Sequence, residues 1–219
     1  NLKRKFLLVL SILANLGTLF FFIYFNFFNE NIGKLVDLLN WNYSPIILNI
    51  VLPLGLSFHI FQSLSYIIEV YKKRYIPEKN YITYALYVMF FPQLVAGPIE
   101  RPQHLLPQFN NINNFDSLKV RRGLERVLWG FFKKLVIADQ IAQIINPLYK
   151  NLPTESSLLI VIAILFTYQI YCDFSGYSDI AIGTAMMLGY DLKENFNRPF
   201  ASRSIGEFWR RWHISLSSW

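Results

Sequence analysis

The chain has 219 residues, of which 53% are hydrophobic and only 16% are charged, and its formal net charge is +7. Soluble domains carry about 25% charged residues, so this composition lacks the charge of a fully wetted surface, while 20 Phe and 13 Tyr exclude a disordered chain. The single cysteine, Cys172, excludes an internal disulfide framework and a cysteine-only metal site, and the positive charge points to either nucleic acid or anionic lipid.

Three long segments without charge predict membrane spans. Residues 6–28 would form about 35 Å of helix, enough to cross the apolar core of a bilayer, which is about 30 Å thick. Residues 46–68 hold only the neutral His59, and residues 156–172 are rich in Leu, Ile and Val, at the short end of the spanning range. The sequence therefore predicts an all-α, polytopic integral membrane protein, with one membrane domain over residues 1–219 that is incomplete at both ends.

The basic residues indicate the orientation of the first two spans. Lys3, Arg4 and Lys5 precede the first span, and a second basic group, at residues 72–79, follows the second. The positive-inside rule places both groups in the cytoplasm.

Residues 81–99 are also uncharged, but basic residues flank them on both sides. A simple crossing would place the five Lys and Arg residues of the stretch 101–126 outside, against the positive-inside rule. Pro92, Gly97 and Pro98 interrupt the second half, which favours a re-entrant or buried half-helix, because broken backbone at membrane depth is tolerated where protein surrounds it. The alternative is an ordinary span with a tolerated basic loop.

Residues 123–145 have the period of an amphipathic helix that lies in the membrane interface. One face is apolar and the opposite face is basic, as shown by Leu124, Leu128, Phe131 and Leu135 on the first and Arg122, Arg126 and Lys133 on the second. Contact with anionic headgroups accounts for the positive charge better than nucleic acid does. A sharper interpretation is a cationic cytoplasmic mouth that attracts a phosphorylated donor.

The last third of the chain predicts a turn and a final helix. The turn covers residues 173–179, where Asp173 and Asp179 would pair with arginine or cap the following helix, since unpaired carboxylates are costly beside an apolar span. Ser204 and Glu207 have capping-box spacing and open a helix over residues 205–219.

His213 is the candidate catalytic residue on that helix. It follows Trp209 by one turn and precedes Ser217 by one turn, with Arg210 three residues before it. A neutral imidazole can act as a general base on a hydroxyl, and the arginines could hold a phosphate or stabilise an oxyanion. The alternative is an interfacial anchor helix, because tryptophan and snorkelling arginine are common at membrane boundaries.

The other ionisable residues predict less. His59 within the second span is more simply explained as a neutral residue that bonds a neighbouring helix, and His104, between Pro102 and Pro107, is predicted to be solvated in a loop. No metal site is predicted, since no histidine–carboxylate cluster has ligand spacing such as HExxH. The sequence contains neither a glycine-rich phosphate loop nor a Gly-x-Ser-x-Gly elbow.

Five ordered blocks between residues 52 and 219 resemble the membrane-bound O-acyltransferase (MBOAT) family. The blocks are LPLGLSFHIFQSLSYIIEVYKK, FFPQLVAGPIERPQHLLPQF, GFFKKLVIADQIA, YCDFSGYSDIAIGTAMMLGYDLKENFNRPF and SIGEFWRRWHISLSSW. Within the family they are similar to bacterial alginate and peptidoglycan O-acetyltransferases, with the D-alanyl transferase of teichoic acids as a cousin.

The resemblance implies a fold and a reaction. The fold is a partial MBOAT-type helical barrel around a tunnel, with a re-entrant segment and interfacial helices. An acyl group, acetyl in this branch, would move from a cytoplasmic thioester to a hydroxyl outside. Acetyl-coenzyme A fits this branch as the donor and an acyl carrier protein fits the cousin, with no bound cofactor.

The resemblance also implies site residues. His213 is the histidine of the family's RWHISLS block, whereas the family's second histidine, the catalytic base, is expected in an apolar helix beyond Trp219, so the fragment is expected to be inactive alone. The expected tunnel-lining residues comprise two aromatic walls, two cations at the tunnel mouth that could pair with two carboxylates, and a serine: Trp209, Trp212, Arg210, Arg211, Asp173, Asp179 and Ser217.

The predicted protein is a multi-pass O-acyltransferase of a bacterial cytoplasmic membrane. Its expected partners are the lipid bilayer, an exported polysaccharide and a periplasmic or extracellular acetyltransferase, with no nucleic acid. Alginate, peptidoglycan, another exopolysaccharide and teichoic acid all stay open as acceptors. The alternative function is a non-catalytic membrane scaffold or polysaccharide-export subunit that recruits a periplasmic acetyltransferase.

Overall fold

The computed structural model describes residues 2–39, 48, 51–95 and 97–219, and every regular element within them is helical. The all-α prediction is confirmed for this part of the chain. The chain divides into two compact units, Asn1–Lys79 and Asn80–Trp219.

The first unit is built on two helices, α1 (Leu2–Leu38) and α2 (Leu56–Tyr71). The predicted span at residues 6–28 lies inside α1, which continues for ten residues past it. A loop between the first two predicted spans would begin after residue 28, but α1 stays helical to Leu38, because charged residues such as Glu30 are good helix formers and no proline interrupts the segment.

The predicted second span, residues 46–68, coincides only in part with α2. Residues 40–47 and 49–50 lie outside the described residues, and residues 51–55 are not helical. Helix α2 begins after Gly55, whose φ of 71° is left-handed. At 16 residues, α2 is shorter than the roughly 20 residues of a spanning helix.

The start of α1 contacts the end of α2. Arg4 Nη2 donates to the Tyr71 carbonyl at 2.9 Å, and its guanidinium lies 5.6 Å from the centre of the Tyr71 ring.

The second unit begins with two short helices, α3 (Tyr81–Val88) and α4 (Pro102–Phe109), separated by a 3₁₀ turn at Phe91–Gln93. A continuous span over residues 81–99 is therefore excluded, whereas the broken half-helix of the preferred prediction matches this backbone. Buried side chains satisfy the interrupted main chain: Tyr87 Oη donates to the Glu100 carbonyl at 2.7 Å, and Gln93 Nε2 donates to the Tyr87 carbonyl at 3.1 Å.

A long helical run follows, made of α5 (Ser117–Phe131), a π-helical segment (Phe132–Ala138) and α6 (Asp139–Lys150). It is longer than the amphipathic helix predicted at residues 123–145. Asp116 caps its start, because Oδ1 accepts from the main-chain N–H groups of the second and third helical residues at 2.9 and 3.2 Å. The predicted apolar face is exposed along its length: Leu124, Leu128, Phe131 and Leu135.

Helix α7 (Ser156–Met187) has 32 residues and packs against α5. The predicted turn at residues 173–179 was wrong, since α7 is helical throughout this stretch. The two helices approach backbone to backbone at two pairs of glycines. A Cβ on Gly123 would lie 2.6 Å from the Gly183 carbonyl oxygen, and a Cβ on Gly130 would lie 2.6 Å from that of Gly176. The order of these pairs makes α5 and α7 antiparallel.

Helix α7 ends at a left-handed glycine, as its sequence suggests. Gly189 has a φ of 88° and donates to the Met186 carbonyl at 3.0 Å, and Tyr190 donates to the Ala185 carbonyl at 2.9 Å. A polar loop leads to a 3₁₀ turn at Pro199–Ala201 and then to α8 and α9, described below.

Two described helical segments are long and apolar enough to cross a bilayer: Leu2–Val36 within α1, and α7, Ser156–Met187. Few side chains in the most apolar stretch of either segment are buried within the structure, 0% in the first and 11% in the second, as expected of helices whose apolar surfaces face lipid.

Candidate functional site

The final helix predicted over residues 205–219 is two short helices, α8 (Ile205–Arg211) and α9 (Ile214–Ser217). His213 lies at the break, with a left-handed backbone at φ 43° and ψ 56°. Such a backbone costs a residue with a Cβ roughly 1–2 kcal/mol. The prediction of His213 within a continuous helix was wrong, because neither glycine nor proline marks the break. The predicted capping box is present, with Ser204 Oγ accepting from Glu207 N at 3.2 Å.

Two main-chain hydrogen bonds bracket His213. Ile214 N donates to the Asn195 carbonyl at 2.9 Å, and Asn197 N donates to the Arg211 carbonyl at 3.0 Å. The loop after α7 and the break between α8 and α9 therefore run side by side.

Asn195 is fully buried, and its side chain adds three contacts. Oδ1 accepts from Ser215 Oγ at 2.8 Å and from Ser215 N at 3.3 Å. Nδ2 donates to Ser178 Oγ, on α7, at 3.3 Å. The sequence analysis did not identify Asn195, and no local pattern marks it, since its partners are 17 and 20 residues away.

The imidazole of His213 is half-buried against an aromatic ring. Its centre lies 4.6 Å from that of Phe174, on α7, in an edge-to-face arrangement. Burial lowers the pKa of His213 below its ordinary value, so the imidazole is neutral at pH 7 and can accept a proton.

The two predicted aromatic wall residues have different environments. Trp212 stacks on Phe208 with a 5.6 Å centroid separation and meets Phe196 edge-to-face at 5.1 Å. Trp209 is 55% exposed, and Phe208 is its ring contact among the described residues. Trp212 thus lies in an aromatic cluster beside His213, whereas Trp209 points away from it. The other members of this cluster are Tyr168, Tyr171, Phe174 and Phe200.

The predicted cations and serine lie close by in sequence but make local contacts. Arg211 Nη2 lies 2.5 Å from Glu207 Oε1, Arg210 is exposed, and Ser217 Oγ donates to the Trp212 carbonyl at 3.0 Å. The predicted pairing of these arginines with Asp173 and Asp179 was wrong, because other cations occupy those carboxylates.

A charge cluster of four residues, Arg126, Lys133, Asp179 and Glu194, joins α5 and the π-helical segment to α7 and the loop after it. Arg126 Nη2 lies 2.9 Å from Asp179 Oδ1, and Arg126 Nη1 donates to Glu194 Oε1 at 2.7 Å. Lys133 Nζ contacts the Asp179 carboxylate and donates to Ser175 Oγ at 3.1 Å.

Lys134, next to this cluster, pairs with Asp173 at 2.6 Å and Asp139 at 2.8 Å. Two of the cations predicted to meet headgroups, Arg126 and Lys133, therefore pair within the protein, as does the neighbouring Lys134. These cations neutralise the carboxylates of Asp173 and Asp179, so α7 can stay helical through residues 173–179. A polar cavity of about 240 Å³ lies beside the charge cluster and reaches Asn195.

The prediction of a solvated loop at His104 was also wrong. His104 lies in α4, and its Nδ1 is 2.7 Å from Oε2 of Glu100, which is fully buried. The other Glu100 oxygen accepts from Lys193 N at 2.6 Å. The hydrogen bond with Glu100 raises the pKa of His104. The four-residue spacing of Glu100 and His104 is a signal that the sequence analysis could have used.

The remaining predictions concern histidine and metal. His59 lies in the first turn of α2, in the first unit. Over the described residues, no three His, Cys, Asp or Glu side chains are grouped so that they could hold a metal ion.

Comparison with known proteins gives relatives that are named for the transfer of acetyl or D-alanyl groups. The chain is 41% identical over 215 residues to the probable alginate O-acetylase AlgI of Pseudomonas aeruginosa, covering 97% of this chain and 40% of that protein. It is 33% identical over 244 residues to the peptidoglycan O-acetyltransferase of Helicobacter pylori, covering 99% and 45%. It is 29% identical over 178 residues to the teichoic acid D-alanyltransferase of Streptococcus thermophilus, covering 76% and 41%.

The chain thus spans about two fifths of the length of these relatives. Residues 77–219 match the model of the MBOAT family. The match includes His213, the loop that carries Asn195, and helices α7, α8 and α9. The chain belongs to the membrane-bound O-acyltransferase family, whose members are membrane-embedded.

Proposed function

We propose that the protein containing this chain is a membrane O-acyltransferase, which moves an acetyl group from a cytoplasmic thioester to a hydroxyl of an exported cell-surface polysaccharide. The observation that carries the proposal is the position of His213, whose half-buried imidazole lies against Phe174 at a break between two helices. The relatives named for O-acetylation of alginate and peptidoglycan support the choice of acetyl group and polysaccharide.

The proposed reaction is a direct acyl transfer. The hydroxyl oxygen attacks the thioester carbonyl carbon, a C–O bond forms, and the C–S bond breaks. The hydroxyl proton passes to a tunnel histidine and then to the departing thiolate, which becomes a thiol.

His213 is suited to this reaction because it is neutral at pH 7 and lies in an aromatic environment. We assign to it the orientation of the hydroxyl or the thioester, or the tuning of a second histidine that we place beyond Trp219. Trp212 would form the wall on one side.

The finer parts of the proposal follow from the same family membership. We place the protein in a bacterial cytoplasmic membrane as a multi-pass protein. Acetyl-coenzyme A is the proposed donor, and an acyl carrier protein is the competing donor because one relative is a D-alanyltransferase. A periplasmic acetyltransferase is the proposed protein partner.

The test compares surface acetyl ester in cells that make the full-length protein or its His213→Ala form. We expect about a 10²-fold fall in ester, because misplacement of a reacting group by about 1 Å has an effect of that size. Membrane abundance of both proteins is measured by immunoblot, and His213→Gln provides a variant that keeps the volume of the side chain. Unchanged ester at equal abundance would refute a catalytic role for His213 and favour the scaffold.

A further inference from the structure

We infer that Asn195 is the positioning residue for His213, setting the place of the imidazole through the main chain that follows it. This inference rests on the proposed acyl transfer, in which His213 must meet the reacting atoms.

The side chain of His213 has few other contacts that could fix its position. Within the described part of the chain, the imidazole nitrogens make no hydrogen bond, and Phe174 is its ring neighbour. An edge-to-face contact restricts a ring less than a hydrogen bond does. The position of the imidazole therefore depends on its backbone, which is left-handed and needs support from the surroundings.

Asn195 supplies this support at the two residues after His213. Its carbonyl accepts from Ile214 N at 2.9 Å, and its Oδ1 accepts from both the N–H and the hydroxyl of Ser215. Together with the bond from Asn197 N to Arg211 O, these contacts fix the chain on both sides of the break.

Asn195 also connects the break at His213 to α7. Asn195 Nδ2 donates to Ser178 Oγ, and Phe174 is one turn earlier on the same helix. One element thus carries both the ring that packs on the imidazole and the hydroxyl that anchors Asn195. The distance between His213 and Phe174 is set through this connection.

The side-chain amide of Asn195 has the chemistry that this site requires. The side chain must accept two hydrogen bonds on one atom and donate on the other, in a site with no solvent exposure. Asparagine meets both demands with a short side chain, and an apolar residue of the same size would leave the buried donors of Ser215 unsatisfied. The role is therefore specific to the amide.

A matched control exists on the same loop. Gln108 Nε2 donates to the Asp191 carbonyl at 3.0 Å, and its Oε1 accepts from Asp191 N at 2.8 Å. This amide also connects a helix to the loop after α7, but its hydrogen bonds are to His104 and Asp191 and not to residues 211–215. Gln108→Ala therefore removes a comparable structural tie without touching the support of His213.

The experiment measures acyl transfer by the full-length protein in membrane vesicles, with kcat and KM for acetyl-coenzyme A determined separately. For Asn195→Ala we expect kcat to fall about 10²-fold, because misplacement of a reacting group by about 1 Å has an effect of that size. KM should stay within about 2-fold, since a loss of transition-state interactions lowers kcat alone. Gln108→Ala should keep the wild-type kcat.

Ser215→Ala is the second variant, because it removes only the hydroxyl and keeps the backbone. We expect a smaller fall in kcat, about 10-fold, and no further loss when it is combined with Asn195→Ala, since both changes break the same link. If Asn195→Ala does not accumulate in membranes, this variant decides the question. An unchanged kcat for Ser215→Ala would then contradict the inference.

The two proposals fail in different ways. Absence of transfer by the wild-type protein, with either acetyl-coenzyme A or an acetylated carrier protein, overturns the proposed function. Loss of transfer in His213→Ala together with wild-type kcat in Asn195→Ala, at equal abundance, overturns only the positioning role. A fall in kcat shared equally by Gln108→Ala would also overturn it, because the effect would then be a general loss of structure.

Discussion

Replacing Gly130 by alanine tests the backbone contact that holds α5 against α7. The new Cβ would lie 2.6 Å from the Gly176 carbonyl oxygen and 3.0 Å from the Ile180 nitrogen, both of which are main-chain atoms. A carbon and an oxygen normally approach to about 3.3 Å, so one helix must move by about 0.7 Å. The same movement would lengthen the ion pair between Lys133 and Asp179, which crosses the interface at this contact, since each residue lies three positions after one of the two glycines.

The expected magnitude comes from two opposing effects. Overpacking costs about 1–3 kcal/mol, whereas alanine gains up to about 1 kcal/mol over glycine in a helix interior. Gly17→Ala is the matched control, because a Cβ there meets nothing within 4 Å and only the gain applies. The two variants should therefore differ by about 2 kcal/mol in stability, with Gly130→Ala melting at the lower temperature.

The assay is thermal unfolding of the detergent-solubilised full-length protein, followed by fluorescence-detected gel filtration. We expect Gly130→Ala to melt below wild type and Gly17→Ala at or above it. Equal melting temperatures for the two variants would refute the backbone contact between α5 and α7.

Three further outcomes follow from individual side chains. The hydrogen bond with Glu100 raises the pKa of His104 in the folded protein. The pair therefore adds stability below the unfolded pKa of about 6.5, and this stability is lost as the pH rises through the higher folded pKa. His104→Gln should flatten the resulting fall in melting temperature between pH 6 and 8. Trp212→Ala should cost about 2–3 kcal/mol, as a half-buried member of an aromatic cluster, whereas exposed Trp209→Ala should cost less than about 0.5 kcal/mol, and denaturant titration compares them. Burial lowers the pKa of His213, so acyl transfer should persist below pH 6.5 before protonation abolishes it; an acid limb above pH 6.5 in the rate profile would contradict a neutral, buried imidazole.

Hydropathy and short-range signals predicted part of the fold. The uncharged residues 6–28 and 156–172 lie within α1 and α7, and the capping box at Ser204 is present. These features depend on neighbours within a few residues, which a sequence displays directly.

Two of the errors, at residues 173–179 and at His213, have a common physical cause, which is compensation by residues distant in the chain. The carboxylates of Asp173 and Asp179 suggested a turn, but cations from the π-helical segment and α5 neutralise them, so the helix continues. The break at His213 carries neither glycine nor proline, because Asn195 supports it from 18 residues earlier in the chain. The cations could not be identified before α5 and the π-helical segment were packed against α7, nor could Asn195 before the loop after α7 was placed.

The candidate site divides in the same way. His213 and Trp212 were identified from the sequence and lie side by side, whereas Arg210 and Trp209 are exposed. A helical period carried across residues 205–219 assigned all of them to one helix. The break rotates the residues before it away from those after it, so the assumed faces do not apply.

The central claim is that acyl groups pass from a cytoplasmic thioester to a polysaccharide outside, with the participation of His213. The most direct test uses inverted membrane vesicles from cells that make the polymer and the full-length protein, supplied with acetyl-coenzyme A or acetylated carrier protein labelled in the acetyl group. The account predicts alkali-labile label on polymer inside the vesicles for the wild-type protein, and its loss in His213→Ala at equal abundance. Label that appears equally with His213→Ala, or that never reaches the polymer with either donor, would contradict it.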